Sequence, residues 1–88
     1  MLIKEILNHI GLNIYLPDNL LKEDLEDVTP LNYVKKGTQY IINFKDSTLK
    51  ITIDTTNPDE YYVMTETFEN TRNSYVSYDI EGNIICIS

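Results

Sequence analysis

The chain has 88 residues, with 14 Asp and Glu against 7 Lys and Arg, a formal net charge of -7 and a pI near 4.4. A chain of this length buries only roughly 60–65% of its unfolded surface, which suffices for one compact domain over residues 1–88 and not for two. Lys and Arg neutralise the phosphates of nucleic acids and anionic membranes, so this charge balance argues against both as direct partners.

Hydrophobic residues make up 42% of the chain and aromatic residues 10%, which is enough to pack a core. The single cysteine, Cys86, has no partner for an intramolecular disulfide, as is usual in a reducing compartment. Residues 1–10 lack the continuous apolar block of a secretory signal, and no apolar run reaches the ~18–20 residues of a membrane span. We therefore expect a cytoplasmic protein.

The first third of the chain has the period of helices. Apolar residues over 2–10 recur at i, i+1, i+4, i+5 and i+8, which predicts a short amphipathic helix, with Gly11 as its C-terminal cap. Residues 12–16 are expected to form an extended connector or a short edge strand. A second helix, with an acidic outer face, is predicted over 18–28 and ends before Pro30.

From Leu31 onward the apolar period changes from 3.6 to 2, which predicts half-buried strands. The predicted strands cover 38–45, 48–54, 60–68, 76–80 and 84–87, with turns at 35–37, 46–47, 55–59, 69–73 and 81–83. The last strand is apolar on both faces, so we expect its second face to be covered. The predicted fold is α+β, with two short N-terminal helices followed by an antiparallel meander of about five strands.

Catalytic chemistry has little support in the sequence. Cys86 and His9 are the only residues of their types, but Cys86 lies in an apolar run that is typical of a buried thiol, and no oxyanion-hole turn follows it. The stretch 79–83 has too few oxygen ligands for a calcium loop, and no zinc spacing or Gly-rich phosphate loop is present. We expect no enzyme, no catalytic residue, no metal and no cofactor.

Charge is distributed unevenly along the chain. Residues 1–34 hold six acids and two bases (net -4), residues 35–53 hold one acid and four bases (net +3), and residues 54–88 hold seven acids and one base (net -6). Such a field steers association and selects partners, although a solubilising role is an equally good interpretation.

Seven tyrosines are also present, of which Tyr15, Tyr33, Tyr61 and Tyr75 are predicted on less apolar sides or in connectors. Tyrosine is enriched at protein interfaces because it buries a large area with few rotatable bonds and has a polar tip. Structural tyrosine on a half-exposed strand is the more ordinary alternative.

The leading hypothesis is a small acidic non-enzymatic module that inhibits or regulates one protein partner by occupying its basic surface, with mimicry of a nucleic-acid backbone as one form. Inhibitors of this kind, such as phage anti-defence or toxin-immunity proteins, are common in AT-rich bacterial or phage genomes, whose composition this chain shares in style. The candidate partner-binding residues are Glu23, Asp24, Glu26, Asp27, Asp59, Glu60, Tyr61, Glu66 and Glu69.

Two other classes stay open. A domain that binds or sequesters an anionic, nucleotide-like ligand would use Lys35, Lys36, Lys45 and Lys50, with Tyr40 or Tyr62 stacking on a base. A structural or oligomeric subunit would instead associate through the doubly apolar strand Ile84–Ile87.

Overall fold

A computed structural model describes residues 3–20, 30–44 and 49–88. They form one six-stranded antiparallel sheet in which every strand pairs with the next one in the chain, so that β1 and β6 are its edges. The strands are β1 (Pro30–Lys36), β2 (Gln39–Phe44), β3 (Leu49–Asp54), β4 (Tyr61–Thr67), β5 (Thr71–Tyr78) and β6 (Ile84–Ile87). The N-terminal part holds helix α1 (Ile3–His9) and one turn of 3-10 helix (Asp18–Leu20).

One face of the sheet is covered by the N-terminal layer, and the hydrophobic core lies between them. Because side chains alternate across a strand, the apolar set of each central strand points to the same side. The buried core residues of the sheet are Tyr40, Ile42, Phe44, Leu49, Ile51, Ile53, Val63 and Val76. Those of the N-terminal layer are Ile6, Leu7, Leu12, Ile14 and Leu20. We call the opposite side of the sheet the outer face.

The N-terminal layer is tied to the sheet by side chains of β4 and β5. The Thr65 hydroxyl, which is buried, donates to the carbonyl of Leu20 at 2.8 Å, and the Arg72 guanidinium donates to the carbonyl of Asn19 at 3.1 Å. Thr65 and Arg72 are directly opposite each other in the sheet. They therefore satisfy two carbonyls at the end of the 3-10 turn, which have no partner within it.

The first predicted helix is confirmed, and Gly11 follows it with a φ of 100°. Residues 12–17 form an irregular connector. The first three residues of the predicted second helix, Asp18–Leu20, form the 3-10 turn, and residues 21–28 of that prediction lie outside the described residues. No helix within the described ranges is long and apolar enough to cross a membrane.

The antiparallel meander is confirmed, but with six strands rather than five. The additional strand is β1, whose last two residues, Lys35 and Lys36, fall in the turn predicted over 35–37. The turn itself consists only of Gly37 and Thr38, since Lys36 pairs with Gln39. β5 begins at Thr71, earlier than predicted. Its first four residues are polar, so they lack the apolar alternation on which the prediction of strands depends.

The last strand differs from its predicted environment. Within the described part of the chain nothing covers the second face of β6, and Ile85 and Cys86 are exposed. The expectation of a buried Cys86 is therefore wrong. The physical reason is topological: β6 is an edge strand that pairs only with β5, and an irregularity in the register at Ser77/Tyr78 disturbs its alternation.

Candidate functional site

The outer face carries the candidate site, at the end of the sheet where the β1–β2 turn and the β3–β4 loop meet. Register pairs Gln39 with Asp54, Asp54 with Tyr62, and Tyr62 with Tyr75. Paired residues of an antiparallel sheet point to the same face. These four side chains therefore form one row across β2, β3, β4 and β5.

An open cleft of about 380 Å³ lies over this row. We call it the acidic tyrosine cleft. It is lined by Asp54, Thr56, Asn57, Glu60, Tyr62 and Tyr75. Its lining combines two carboxylates, two phenol rings and two small polar side chains. The carboxylates can accept hydrogen bonds from a cationic group, and the rings can pack along its apolar stem.

The two rings form a tilted aromatic pair. The Tyr62 and Tyr75 ring centroids are 5.2 Å apart with an interplanar angle of 54°. The Tyr62 hydroxyl lies 3.7 Å from the sulfur of Met64, toward which it donates a weak hydrogen bond. Tyr75 is half exposed, so a ring surface that is already held in position remains open to solvent.

The carboxylate of Asp54 is fixed by the loop that follows β3. Its Oδ1 accepts hydrogen bonds from the Thr56 backbone N–H at 2.9 Å and from the Thr56 hydroxyl at 2.6 Å. The hydroxyl bond, followed by the backbone bond, lowers the pKa of Asp54 below its ordinary value, because both stabilise the ionised form. Asp54 is therefore a carboxylate in a defined orientation at neutral pH.

The β1–β2 turn holds the other side of the same loop. The Thr55 backbone N–H and hydroxyl both donate to the carbonyl of Thr38, at 2.9 and 2.8 Å. The Thr38 and Thr56 hydroxyl oxygens are 2.6 Å apart and share a hydrogen bond. This network connects two successive turns and keeps Thr56 beside Asp54.

Glu60 is positioned by a turn at Asn57. The Asn57 side-chain oxygen accepts from the Asp59 backbone N–H at 2.9 Å, and its carbonyl accepts from the Glu60 N–H at 3.2 Å. Such an Asx turn shapes the loop without any packed core beneath it. Asp59 is exposed in this loop, and Glu60 begins the approach to β4 at the margin of the cleft.

The candidate acids from the sequence are separated in the structure. Glu60 lines the cleft and Asp59 precedes it in the same loop, whereas Glu66 lies farther along β4 and Glu69 in the β4–β5 turn at the opposite end of the sheet. Tyr61 was expected at the surface, but it packs against the core, with its ring 5.5 Å from that of Tyr78. The four candidate acids of the second helix, Glu23, Asp24, Glu26 and Asp27, lie outside the described residues.

The candidate lysines do not share a pocket. The Lys35 ammonium lies 5.2 Å from the centroid of the Tyr40 ring, which is itself buried. Lys36 is exposed on the edge strand. Lys50 lies 4.0 Å from Glu66 across the strands, so that a residue of the basic candidate set faces one of the acidic set. Lys45 lies outside the described residues.

Within the described ranges, no group of three or more His, Cys, Asp or Glu side chains is arranged to hold a metal ion. His9 and Cys86 are both exposed, on α1 and β6 respectively.

Sequence reasoning missed Asp54 and Tyr75 as site residues and used Tyr62 only for the nucleotide alternative. The usable signal was alternation: Asp54 and Tyr62 each follow or precede a buried residue, Ile53 or Val63, and so lie on the outer face. Strand register, which brings Tyr75 alongside, is not visible in the sequence. Comparison with known proteins gives no matching family model and no significantly similar curated protein or solved structure.

Proposed function

We propose that this protein is a small non-enzymatic binding module, an inhibitor or regulator, that occupies a basic surface of a protein partner through the acidic tyrosine cleft. A guanidinium or ammonium group of the partner enters between the carboxylates of Asp54 and Glu60, and its aliphatic stem lies along Tyr62 and Tyr75. The observation that carries the proposal is the joint presence of two carboxylates and two contacting rings around one open cleft.

The chemistry of this lining supports a basic side chain. Carboxylates accept charge-assisted hydrogen bonds from Arg and Lys, and a tyrosine face attracts a cation within about 6 Å of its centroid. The volume of about 380 Å³ is at the small end of ligand pockets, which favours one side chain over a whole cofactor.

The organisation of the cleft also supports recognition. Asp54 is held by Thr56, and the loop is held by Thr38 and Asn57, so little order has to be created on binding. Preorganisation of this kind lowers the entropy cost of association. The net charge of -7 favours approach to a basic partner. If that partner surface normally binds phosphates, the acidic module acts as a mimic of nucleic acid.

Capture from a bacterial lysate with matched baits tests the proposal. The cleft variant carries Glu60→Gln and Tyr75→Ser. The control variant carries Glu69→Gln and Tyr33→Ser, an acid and a tyrosine away from the cleft, and Tyr33 (51% exposed) is as accessible as Tyr75 (50%). We expect wild type and control to retain the same protein at low salt, and the cleft variant to retain at least about tenfold less of it.

Release of the captured protein at high salt is the second test of the proposed function. An interface made by exposed charges is screened at about 0.5 M salt, where the Debye length falls to roughly 4 Å, so the captured protein should be released. Equal capture by the cleft variant, or the lack of any salt-sensitive partner, would contradict the proposed function.

A further inference from the structure

The two edges of the sheet differ in how they are protected against pairing. β1 begins at Pro30 and ends with the exposed lysines Lys35 and Lys36. Proline and lysine are the residues with which natural proteins block edge-to-edge association. β6 contains only Ile84, Ile85, Cys86 and Ile87 and has neither a charge nor a proline. It is the unprotected edge.

The side chains of β6 are also exposed to an unusual degree for their type. Ile85 is 66% and Ile87 45% exposed, and Cys86 is exposed. Ile84 packs against the core and anchors the strand. Three consecutive apolar residues thus face solvent along one edge.

The backbone pattern shows which groups are available. Ser88 and Tyr75 exchange two hydrogen bonds, N–H to O, of 2.8 and 3.0 Å, so the polar groups of Ser88 point toward β5. Antiparallel pairs alternate between hydrogen-bonded and non-hydrogen-bonded, so at Ile87, opposite Val76, the N–H and carbonyl point away from the sheet. The register passes from Cys86 to Ile84, which leaves Ile85 without an opposite residue on β5.

We propose that two copies of this chain pair antiparallel through β6, and join their two six-stranded sheets into one. The pairing is centred on Cys86, so that Ile85 and Ile87 lie opposite Ile87 and Ile85 of the partner subunit. This arrangement obeys a two-fold axis, in which the same patch serves both copies. The exposed apolar run is self-complementary in this register because Ile85 of each copy meets Ile87 of the other.

The charge distribution is compatible with this contact despite the net charge of -7. Arg72 is the only charged residue in β5 and β6. Asp79 and Glu81 lie in the turn before β6, and antiparallel pairing places the two copies' turns at opposite ends of the contact. The acidic tyrosine cleft spans β3 to β5 on the outer face, so it stays open in the dimer and the two proposals are independent.

Sedimentation equilibrium tests the association directly. Because the strand is short, we expect a weak dimer, visible as a rise of the weight-average mass between about 10 µM and about 1 mM protein. Ile85→Lys should abolish that rise. Ile80→Lys is the matched control, the same substitution at a turn residue that is 99% exposed, and it should leave the rise unchanged.

Disulfide cross-linking through Cys86 tests the register in which the two β6 strands pair. In the proposed pairing the two Cys86 Cα atoms are roughly 4.5–5.5 Å apart, within disulfide range. Diamide takes up two electrons and two protons from the two thiols, which form a disulfide. It should cross-link the wild type at least about tenfold faster than a control variant that carries both Cys86→Ser and Thr71→Cys. Thr71 supplies an exposed residue on β5 outside the segment that pairs with β6.

A constant monomer mass over the whole concentration range would overturn the proposal. A dimer that survives Ile85→Lys, or cross-linking that is equally fast for the thiol at position 71, would also overturn it.

Discussion

Among the three glycines, Gly82 is the one whose identity the fold constrains most directly. Its φ is 86°, and a Cβ built there would overlap the carbonyl oxygen of Asn13. The Gly82 carbonyl accepts from the Tyr15 backbone N–H at 3.2 Å, and the Asn13 side chain donates to the Glu81 carbonyl at 3.3 Å. The connector of the N-terminal layer therefore lies directly on the turn between β5 and β6.

We predict that Gly82→Ala lowers the free energy of unfolding by about 3 kcal/mol or more, because a methyl group forces the connector off the turn as well as straining φ. Gly37→Ala is the matched control. Gly37 also has a positive φ, of 59°, but a Cβ there meets nothing within 4 Å, so only the backbone strain of about 1–2 kcal/mol is expected.

Urea unfolding of the two variants measures the difference. Equal losses at positions 82 and 37 would show that the close approach of Asn13 has no energetic weight.

At this scale, the sequence predicts conformation better than contact. The positive φ of Gly11 agrees with its prediction as the C-terminal cap of the first helix. The approach of Asn13 to Gly82 joins residues far apart in the chain, and no local pattern indicates it. The same limit explains Tyr61 and Tyr62: one residue of strand phase decides which ring packs against the core and which lines the cleft.

At the scale of elements, the turn between β5 and β6 is organised by one carboxylate. Asp79 Oδ1 accepts from the backbone N–H groups of Glu81 and Asn83, both at 2.9 Å, and Oδ2 accepts from the Asn83 side chain at 3.3 Å. The backbone bond from Asn83 is the largest reason why the pKa of Asp79 is lowered, against a smaller opposing effect of desolvation. The turn is therefore stabilised by the ionised form.

The lowered pKa of Asp79 determines how its contribution to stability changes with pH. A carboxyl group whose pKa is lower in the folded than in the unfolded state stabilises the fold above its unfolded pKa, and that contribution is lost as the pH falls through the folded pKa. We predict that Asp79→Asn is less stable than wild type at pH 7 and that the gap narrows below about pH 4.

Urea unfolding at pH 7 and below about pH 4 measures the free energy of unfolding of each variant, with Asp59→Asn as the control. Asp59 is exposed, and no hydrogen bond to its carboxylate is seen among the described residues, so its substitution should change little at either pH. A gap for Asp79→Asn that is independent of pH would contradict the role of its charge.

Elements with apolar alternation were predictable, and elements without it were not. β2 and β3 repeat an apolar residue at every second position because one of their faces is buried. β1 is exposed from Asn32 to Lys36, so burial imposes no pattern on it, and the polar start of β5 has the same cause. The exposure of β6 is not predictable from its composition, because the position of a strand within a sheet depends on topology.

At the scale of the whole molecule, the described N-terminal layer covers one side of the sheet and leaves the acidic tyrosine cleft open on the outer face. The sequence shows an acidic excess in residues 54–88. Sequence alone groups these acids by their closeness along the chain, not by the surface on which they lie. The fold instead brings together Asp54, Glu60, Tyr62 and Tyr75, which come from three strands and one loop. Acids such as Glu66 and Glu69, which are close in sequence to that group, lie elsewhere.

The central claim is that this cleft receives a cationic side chain, and an NMR titration of the labelled protein with a capped tri-arginine peptide tests it most directly. We predict that the largest amide shift changes occur at residues 54–62 and at Tyr75, that tri-glutamate causes none, and that Glu60→Gln weakens the effect while Glu69→Gln does not. Shift changes spread evenly over all carboxylates, or equal weakening by both substitutions, would contradict the claim.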